Sequence, residues 1–164
     1  MTLAGGLLGF VTLQRGAELL IARRNTKRLL ARGAFEVGAW HYGLIVTLHA
    51  AWLGGLWLLG RNAELWLFWV VLFAVLQLMR IWAILSLGER WTTRIIVLPG
   101  LPLERKGPYR FVKHPNYLVV AGEIAALPLA LGMPWFALAF SIANAAVLTV
   151  RIKAEDAALA AASR

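Results

Sequence analysis

Five apolar runs, at about 2–22, 40–59, 64–87, 117–133 and 135–150, alternate with shorter polar stretches along the chain. A bilayer core about 30 Å thick is crossed by about 20 apolar residues in a helix. In hydrocarbon every backbone polar group must find its partner within the segment, so helices are the natural solution for such runs. Gln14, Arg15 and Glu18 interrupt the first run near its end, and the last two runs are short. Gly132 and Pro134 separate those two, which reads as a tight turn inside a helical hairpin. Sixty per cent of the residues are hydrophobic and the mean hydropathy is +0.70, more apolar surface than a soluble domain of this size can bury. The expected fold is all-α: a polytopic integral membrane protein with about five transmembrane helices.

The basic residues orient that bundle. Arg23, Arg24, Lys27, Arg28 and Arg32 lie between runs one and two, and Arg90, Arg94, Arg105, Lys106, Arg110 and Lys113 between runs three and four. Arg151, Lys153 and Arg164 follow run five, whereas the opposite loops hold only Arg61. Such asymmetry places the N-terminus outside and the C-terminus in the cytoplasm, in a bacterial inner membrane. The net charge of +9 is thereby accounted for by topology and attraction to lipid headgroups, and nucleic acid is not expected as a partner. Met1–Phe10 lacks the basic start and cleavage site of a signal peptide. The absence of cysteine excludes disulfides, thiolate metal sites and cysteine nucleophiles. Residues 23–36 read as an interfacial amphipathic helix stopping near Gly33.

Residues 88–116 form the longest stretch outside the apolar runs, punctuated by Gly88, Pro99, Gly100, Pro102, Gly107, Pro108 and Pro115. A connection this long in so small a protein points to function. Its end, GPYRFVKHPNYLVVAGE at 107–123, packs Tyr109, Arg110, Lys113, His114, Asn116 and Tyr117 in front of run four. Pro115 fixes the backbone as the chain turns into the bilayer. Two roles fit His114, a cap for the following helix and a ligand donor. Two likewise fit Tyr117, a site residue and an interfacial belt aromatic.

This stretch resembles the His-Pro-x-Tyr motif of the isoprenylcysteine carboxyl methyltransferase family, and Arg151-Ile-Lys-Ala-Glu155-Asp156 resembles the family's C-terminal Arg-x-x-x-Glu-acid motif. Asp156 stands where a second Glu is often found, and the tail AALAAASR lacks the aromatic residues of many relatives. Residues 18–52 and 80–100 look like a bacterial branch that includes alkylpyrone and alkylresorcinol O-methyltransferases. The resemblance implies an S-adenosylmethionine-dependent methyltransferase acting at the cytoplasmic membrane surface on a lipophilic acceptor. It implies one domain, 1–164, with residues 1–87 on the lipid and acceptor side. Residues 88–164 then carry the cofactor loop, the hairpin and the C-terminal motif. Cofactor contacts are expected from Gly107, Tyr109, Arg110, His114, Pro115, Asn116, Tyr117 and Glu155, with Leu118, Val119 and Trp135 lining an adenine slot. No Gly-x-Gly-x-x-Gly pattern occurs, so a Rossmann site is not expected. Arg151 is expected as the catalytic cation, held by Glu155 one turn later.

Runs two to four hold further candidates. His41 and His49 lie two turns apart on one face; His41, near the cytoplasmic boundary, is the better general base, and His49 a substrate contact or an interhelical hydrogen bonder. Arg15 and Glu18 are spaced to neutralise each other, while Arg80 lacks a local partner. An Arg80–Glu123 pair at the floor of the site would satisfy both, and Trp82 and Trp91 are placed to line an acyl tunnel. Trp52, Trp57, Trp66 and Trp69 read as outer anchors. The His and Glu spacings are not a metal pattern, and no metal is expected. Prenylcysteine carboxyl methylation and phospholipid N-methylation are alternative reactions. An NADPH-dependent membrane reductase and a non-enzymatic adaptor or transporter are rivals of other classes.

Overall fold

A computed structural model describes residues 2–101 and 104–162. Pro102 and Arg164 of the features above lie outside the described residues. Five helices carry the chain: α1 (Leu3–Ala31), α2 (Ala39–Gly60), α3 (Leu67–Leu87), α4 (Pro115–Ala130) and α5 (Pro134–Ala162). Of these, α2, α3 and α5 are long and apolar enough to cross a bilayer, and α4 is a shorter apolar helix of 16 residues. At 1.5 Å per residue α4 spans about 24 Å. The fold is the all-α membrane protein expected.

The helices alternate in direction, which gathers the C-termini of α1, α3 and α5 and the N-termini of α2 and α4 at one end. At the other end the Trp66 amide donates to Ala130 O at 2.9 Å, and the Thr2 hydroxyl donates to Arg61 O. Gly132, at φ +68, makes the turn of the α4–α5 hairpin.

Between residue 20 and Arg32 the chain contains neither Gly nor Pro, and Arg, Lys, Leu and Ala propagate helix well. Accordingly α1 runs unbroken to Ala31, and the expected separate interfacial helix over 23–36 does not form. The chain leaves α1 through Gly33 and enters a three-residue strand, β1 (Phe35–Val37), paired antiparallel with β2 (Ile95–Val97). This ribbon joins the α1–α2 connection to the α3–α4 connection. Asn25 of α1 fixes the base of the second connection by donating to Gly88 O at 3.1 Å and Trp91 O at 2.9 Å. α5 also exceeds its expected end, so the Arg151–Asp156 motif lies on a continuous helix.

Leu8 and Val11 of α1, Trp52 and Leu56 of α2, Phe73 of α3 and Ile124 and Leu127 of α4 form the buried apolar core. Trp52 is therefore no outer anchor: it is 2% exposed, with its indole N–H donating to Ile124 O at 3.3 Å. Burying the large ring is favourable here because its single donor finds a carbonyl.

On the site-bearing side of this core, α1, α3 and α4 meet through buried charges. Arg80 donates from Nε to Glu18 Oε1 and from a terminal nitrogen to Glu18 Oε2, each at 2.7 Å. Its other terminal nitrogen reaches Glu123 Oε2 at 3.0 Å. Arg15 donates to Glu18 at 2.8 Å and to Glu123 at 2.7 Å. The expected Arg15–Glu18 and Arg80–Glu123 pairs both exist, but Arg80 also has Glu18, a partner from another helix that sequence spacing hides. Two cations and two anions share one polar knot. Removing one member leaves an opposite charge buried without compensation, which costs roughly 3–5 kcal/mol. Arg80→Met is expected to destabilise the bundle by that order, and thermal unfolding in detergent, followed by tryptophan fluorescence, measures it. An unchanged midpoint would show the knot to be dispensable.

Candidate active site

The polar end of the bundle holds an open cavity of about 730 Å³. Its walls come from the ribbon (Ile95 to Val97), the 104–114 loop, the start of α4 and the end of α5. Gly107, at φ +55, starts the turn carrying Pro108 and Tyr109, and a Cβ there would lie 2.0 Å from Ser86 Oγ. Only glycine fits that close approach and that backbone.

At the centre of the wall the Tyr117 hydroxyl donates to Glu155 and accepts from Arg151 Nε at 2.7 Å. A terminal nitrogen of Arg151 reaches Thr93 O at 2.8 Å. The expected direct pairing of Arg151 with Glu155 is replaced by a phenol bridge, because Arg151 turns toward the ribbon. His114 Nε2 pairs with Asp156 Oδ1 at 2.9 Å, and Lys113 reaches the same oxygen at 2.6 Å. His114 occupies the N-cap position of α4 without capping it, so the capping role is set aside. Tyr117 likewise bonds inward and is not simply a belt residue.

The ribbon is locked from outside. Arg94 donates to both oxygens of Glu36, at 2.9 and 2.8 Å, and its guanidinium lies 4.5 Å from the Tyr42 ring centre. The hydrogen bond to Glu36 leads the effects that raise the Arg94 pKa above its ordinary value. Tyr42 also shares a 3.2 Å hydrogen bond with Thr93. Burial, followed by the Glu155 carboxylate, pushes the Tyr109 phenol up, so Tyr109 stays protonated as a neutral donor near neutral pH.

Of the residues singled out from sequence, Tyr109, Arg110, His114, Asn116, Tyr117, Arg151 and Glu155 line this cavity. Gly107 and Pro115 shape its loop without lining it. His41 is 1% exposed and off the wall, packed on Gly38, where a Cβ would lie 2.1 Å from its ring. His49 bonds within its own helix, to Ile45 O at 2.8 Å, and not between helices. Arg80 and Glu123 belong to the buried knot and do not form the cavity floor. Trp82 is 47% exposed and off the wall, whereas Trp91 is buried on it. Trp135 starts α5 at the opposite end of the bundle, 80% exposed, and cannot contribute a slot here. Leu118 and Val119 are also off this wall. Thr93 had no sequence signal: its backbone carbonyl does the work.

Two fully buried side-chain atoms of cavity-lining residues, Asn116 Oδ1 and Trp91 Nε1, have no hydrogen-bond partner among the described residues. A buried acceptor and a buried donor left open are costly unless a ligand or water meets them. The chemistry suits a molecule with both functions, such as an aminopurine edge. Glu104 and Glu155 can accept from hydroxyl or ammonium groups, and six basic residues can meet a carboxylate. S-adenosylmethionine therefore fits the residues present.

A helical membrane bundle with such a polar cavity at one end defines a membrane-embedded, ligand-binding class of protein. The comparisons narrow that class. The profile of the isoprenylcysteine carboxyl methyltransferase family matches residues 69–161, and the chain belongs to this family. It is a membrane methyltransferase, and methyltransferases of this family use S-adenosylmethionine. An uncharacterized protein of Bacillus subtilis, YpbQ, is 41% identical over 160 residues, covering 93% of this chain and 94% of that one. An uncharacterized Haemophilus influenzae protein is 28% identical over 150 residues, covering 87% and 86% respectively. No solved structure matches.

Tyr117→Phe removes the hydroxyl that joins Glu155 to Arg151. Hydrogen bonds to charged groups contribute about 1.5–3 kcal/mol. The variant is expected to bind S-adenosylhomocysteine about tenfold or more weakly and to melt at a lower temperature, measured by calorimetry beside a melting curve. Equal affinity would separate the bridge from ligand binding.

Proposed function

We propose that this protein transfers a methyl group from S-adenosylmethionine to an oxygen of a lipophilic acceptor, most plainly the ring hydroxyl of a long-chain alkylpyrone or alkylresorcinol. The single observation that carries the reading is the convergence of Tyr117, Arg151, Glu155 and His114, from two separated motifs, on one cavity wall. S-adenosylmethionine, when bound, supplies an electrophilic methyl group. Asn116 and Trp91 offer hydrogen bonds to its base, and Glu155 accepts from a hydroxyl or the ammonium group.

The electrostatics favour an ionised oxygen as acceptor. Arg90, Arg94, Arg105, Arg110, Lys113 and Arg151 line the cavity against two carboxylates, Glu104 and Glu155. A positive surplus stabilises an enolate or phenolate and lowers the pKa of its parent hydroxyl. It disfavours a cationic amine, which ranks phospholipid N-methylation behind oxygen methylation. Arg151 is the cation we assign beside the acceptor oxygen, where it would hold a negative charge without needing a base. His41, off the wall, is not needed for proton removal, since an acidic hydroxyl ionises in solvent. His49, Arg80, Glu123 and Trp82 then act as bundle residues and not as substrate contacts. A prenylcysteine carboxylate satisfies the same electrostatics and is the alternative acceptor, as the family's name suggests.

The basic residues of α1 after Ala22 and those of the 88–116 stretch share the cavity's end of the bundle. That distribution supports a cavity facing the cytoplasm, in a bacterial inner membrane.

The test is calorimetric titration of detergent-purified protein with S-adenosylhomocysteine, with NADPH as parallel ligand. Binding of the former, weakened tenfold or more in Glu155→Ala and His114→Ala, is the expected result. Binding of NADPH alone would replace the methyltransferase reading with a reductase. Positive titration then justifies comparing methyl transfer to alkylpyrone, alkylresorcinol and prenylcysteine acceptors.

A further inference from the structure

A second, smaller cavity of about 350 Å³ opens between α4 and α5 on the outer surface of the bundle. Its walls are Leu118 and Ala121 of α4 and Ala145, Leu148 and Ile152 of α5, all apolar. Leu118 is 59% exposed, so the groove faces what surrounds the bundle and not its core. At its polar end it is lined by Val112, Lys113, His114 and Tyr117, and these same four residues line the 730 Å³ cavity. From Ile152 to Ala145 the groove follows α5 for two turns, about 10 Å at 1.5 Å per residue.

We propose that this groove holds the hydrocarbon tail of the acceptor, with its polar head at Tyr117 and His114, and that Ala121 and Ala145 set the groove's width. The proposal rests on the reading of the larger cavity as the methyl-transfer site. An occupant of two adjacent spaces that share these four lining residues needs a polar head beside charged and phenolic groups and an unbranched apolar body beside methyls. An amphiphile with one chain has that form. Two alanines, one from each helix, line the groove and leave space that larger side chains would fill, and a chain lying there covers apolar surface at about 25 cal/mol per Å². Larger side chains at these positions would close the groove while leaving the cavity wall at Asn116, Arg151 and Glu155 in place. Neither alanine lines that cavity.

The experiment is photo-crosslinking in phosphatidylcholine nanodiscs with a long-chain alkylresorcinol carrying a diazirine in mid-chain. Adducts are mapped by mass spectrometry, and S-adenosylhomocysteine affinity is measured on the same samples. Adducts on Leu118, Leu148 or Ile152 are expected, competed by unlabelled long-chain alkylresorcinol and not by a long-chain alcohol. Ala121→Leu and Ala145→Leu are each expected to lower them tenfold or more with S-adenosylhomocysteine affinity unchanged. Retained affinity shows a folded variant, and should one variant lose it, the other carries the comparison. Adducts on other helices, labelling insensitive to both substitutions, or equal competition by the alcohol would overturn the groove assignment. Loss of S-adenosylhomocysteine binding in the unsubstituted protein would instead overturn the cofactor reading, so the two failures are told apart.

Discussion

The buried pairing of Arg80 with Glu18 and Glu123 is the constraint on which the rest of the bundle depends. Lipid tails are as apolar as leucine, so helices in a bilayer gain little by hiding apolar faces from one another. Polar contacts and close packing must set their register. Here one guanidinium on α3 holds a carboxylate from α1 and another from α4, and Arg15 closes the ring from α1. An arginine suits this because its planar fork can meet both oxygens of Glu18 at once. The result fixes α1, which otherwise packs by small and aliphatic residues such as Ala4 and Leu8, against α3 and α4 at one defined height.

That register has consequences at the polar end. Once α1 is fixed, Asn25 stands about two turns beyond Glu18, close enough to bond Gly88 O and Trp91 O, and so places Trp91 on the cavity wall. The ribbon follows, since β1 leaves α1 directly and β2 follows Trp91. Thr93, carried between Trp91 and β2, presents its carbonyl to Arg151, and Arg151 orients Tyr117. A chain of hydrogen bonds thus runs from the first helix to the last, through elements far apart in sequence.

Much of this was legible in the sequence, and the residues show why the remainder was not. Hydropathy reveals five helices because lipid imposes a length and an apolar composition on each. The turn at 107–117 is legible because glycine, proline and tyrosine do there what few other residues can. Arg15 and Glu18 are legible as neighbours on one helix. Glu18 and Arg80 are not, since a pairing across 62 positions depends on how two helices face each other. The ribbon is hidden by its brevity: three residues in each strand carry too few alternations to register as a period. Trp52 misleads because a tryptophan near a span end suits both a headgroup belt and a core with a spare carbonyl. The phenol bridge at Tyr117 was hidden behind a correct list of residues, because residue types say who can bond and not through whom.

The distribution of charge separates two tasks that use the same side chains. Inside the bundle two arginines and two glutamates balance, as a low-dielectric interior requires, and such a knot offers nothing to a charged ligand. At the cavity the balance is broken in favour of cations, and the nearby carboxylates Glu36 and Asp156 that restrain Arg94 and Lys113 do not line it. Their carboxylates anchor the frame from behind while the cations' field remains at the wall. A site built this way suits a reaction in which negative charge on an oxygen must be held close to an incoming positive methyl donor. Glu155 then has the complementary task, since a wall of cations alone would repel that donor. Holding Glu155 and Arg151 on opposite sides of one phenol keeps both charges at the site without letting them cancel in a direct ion pair.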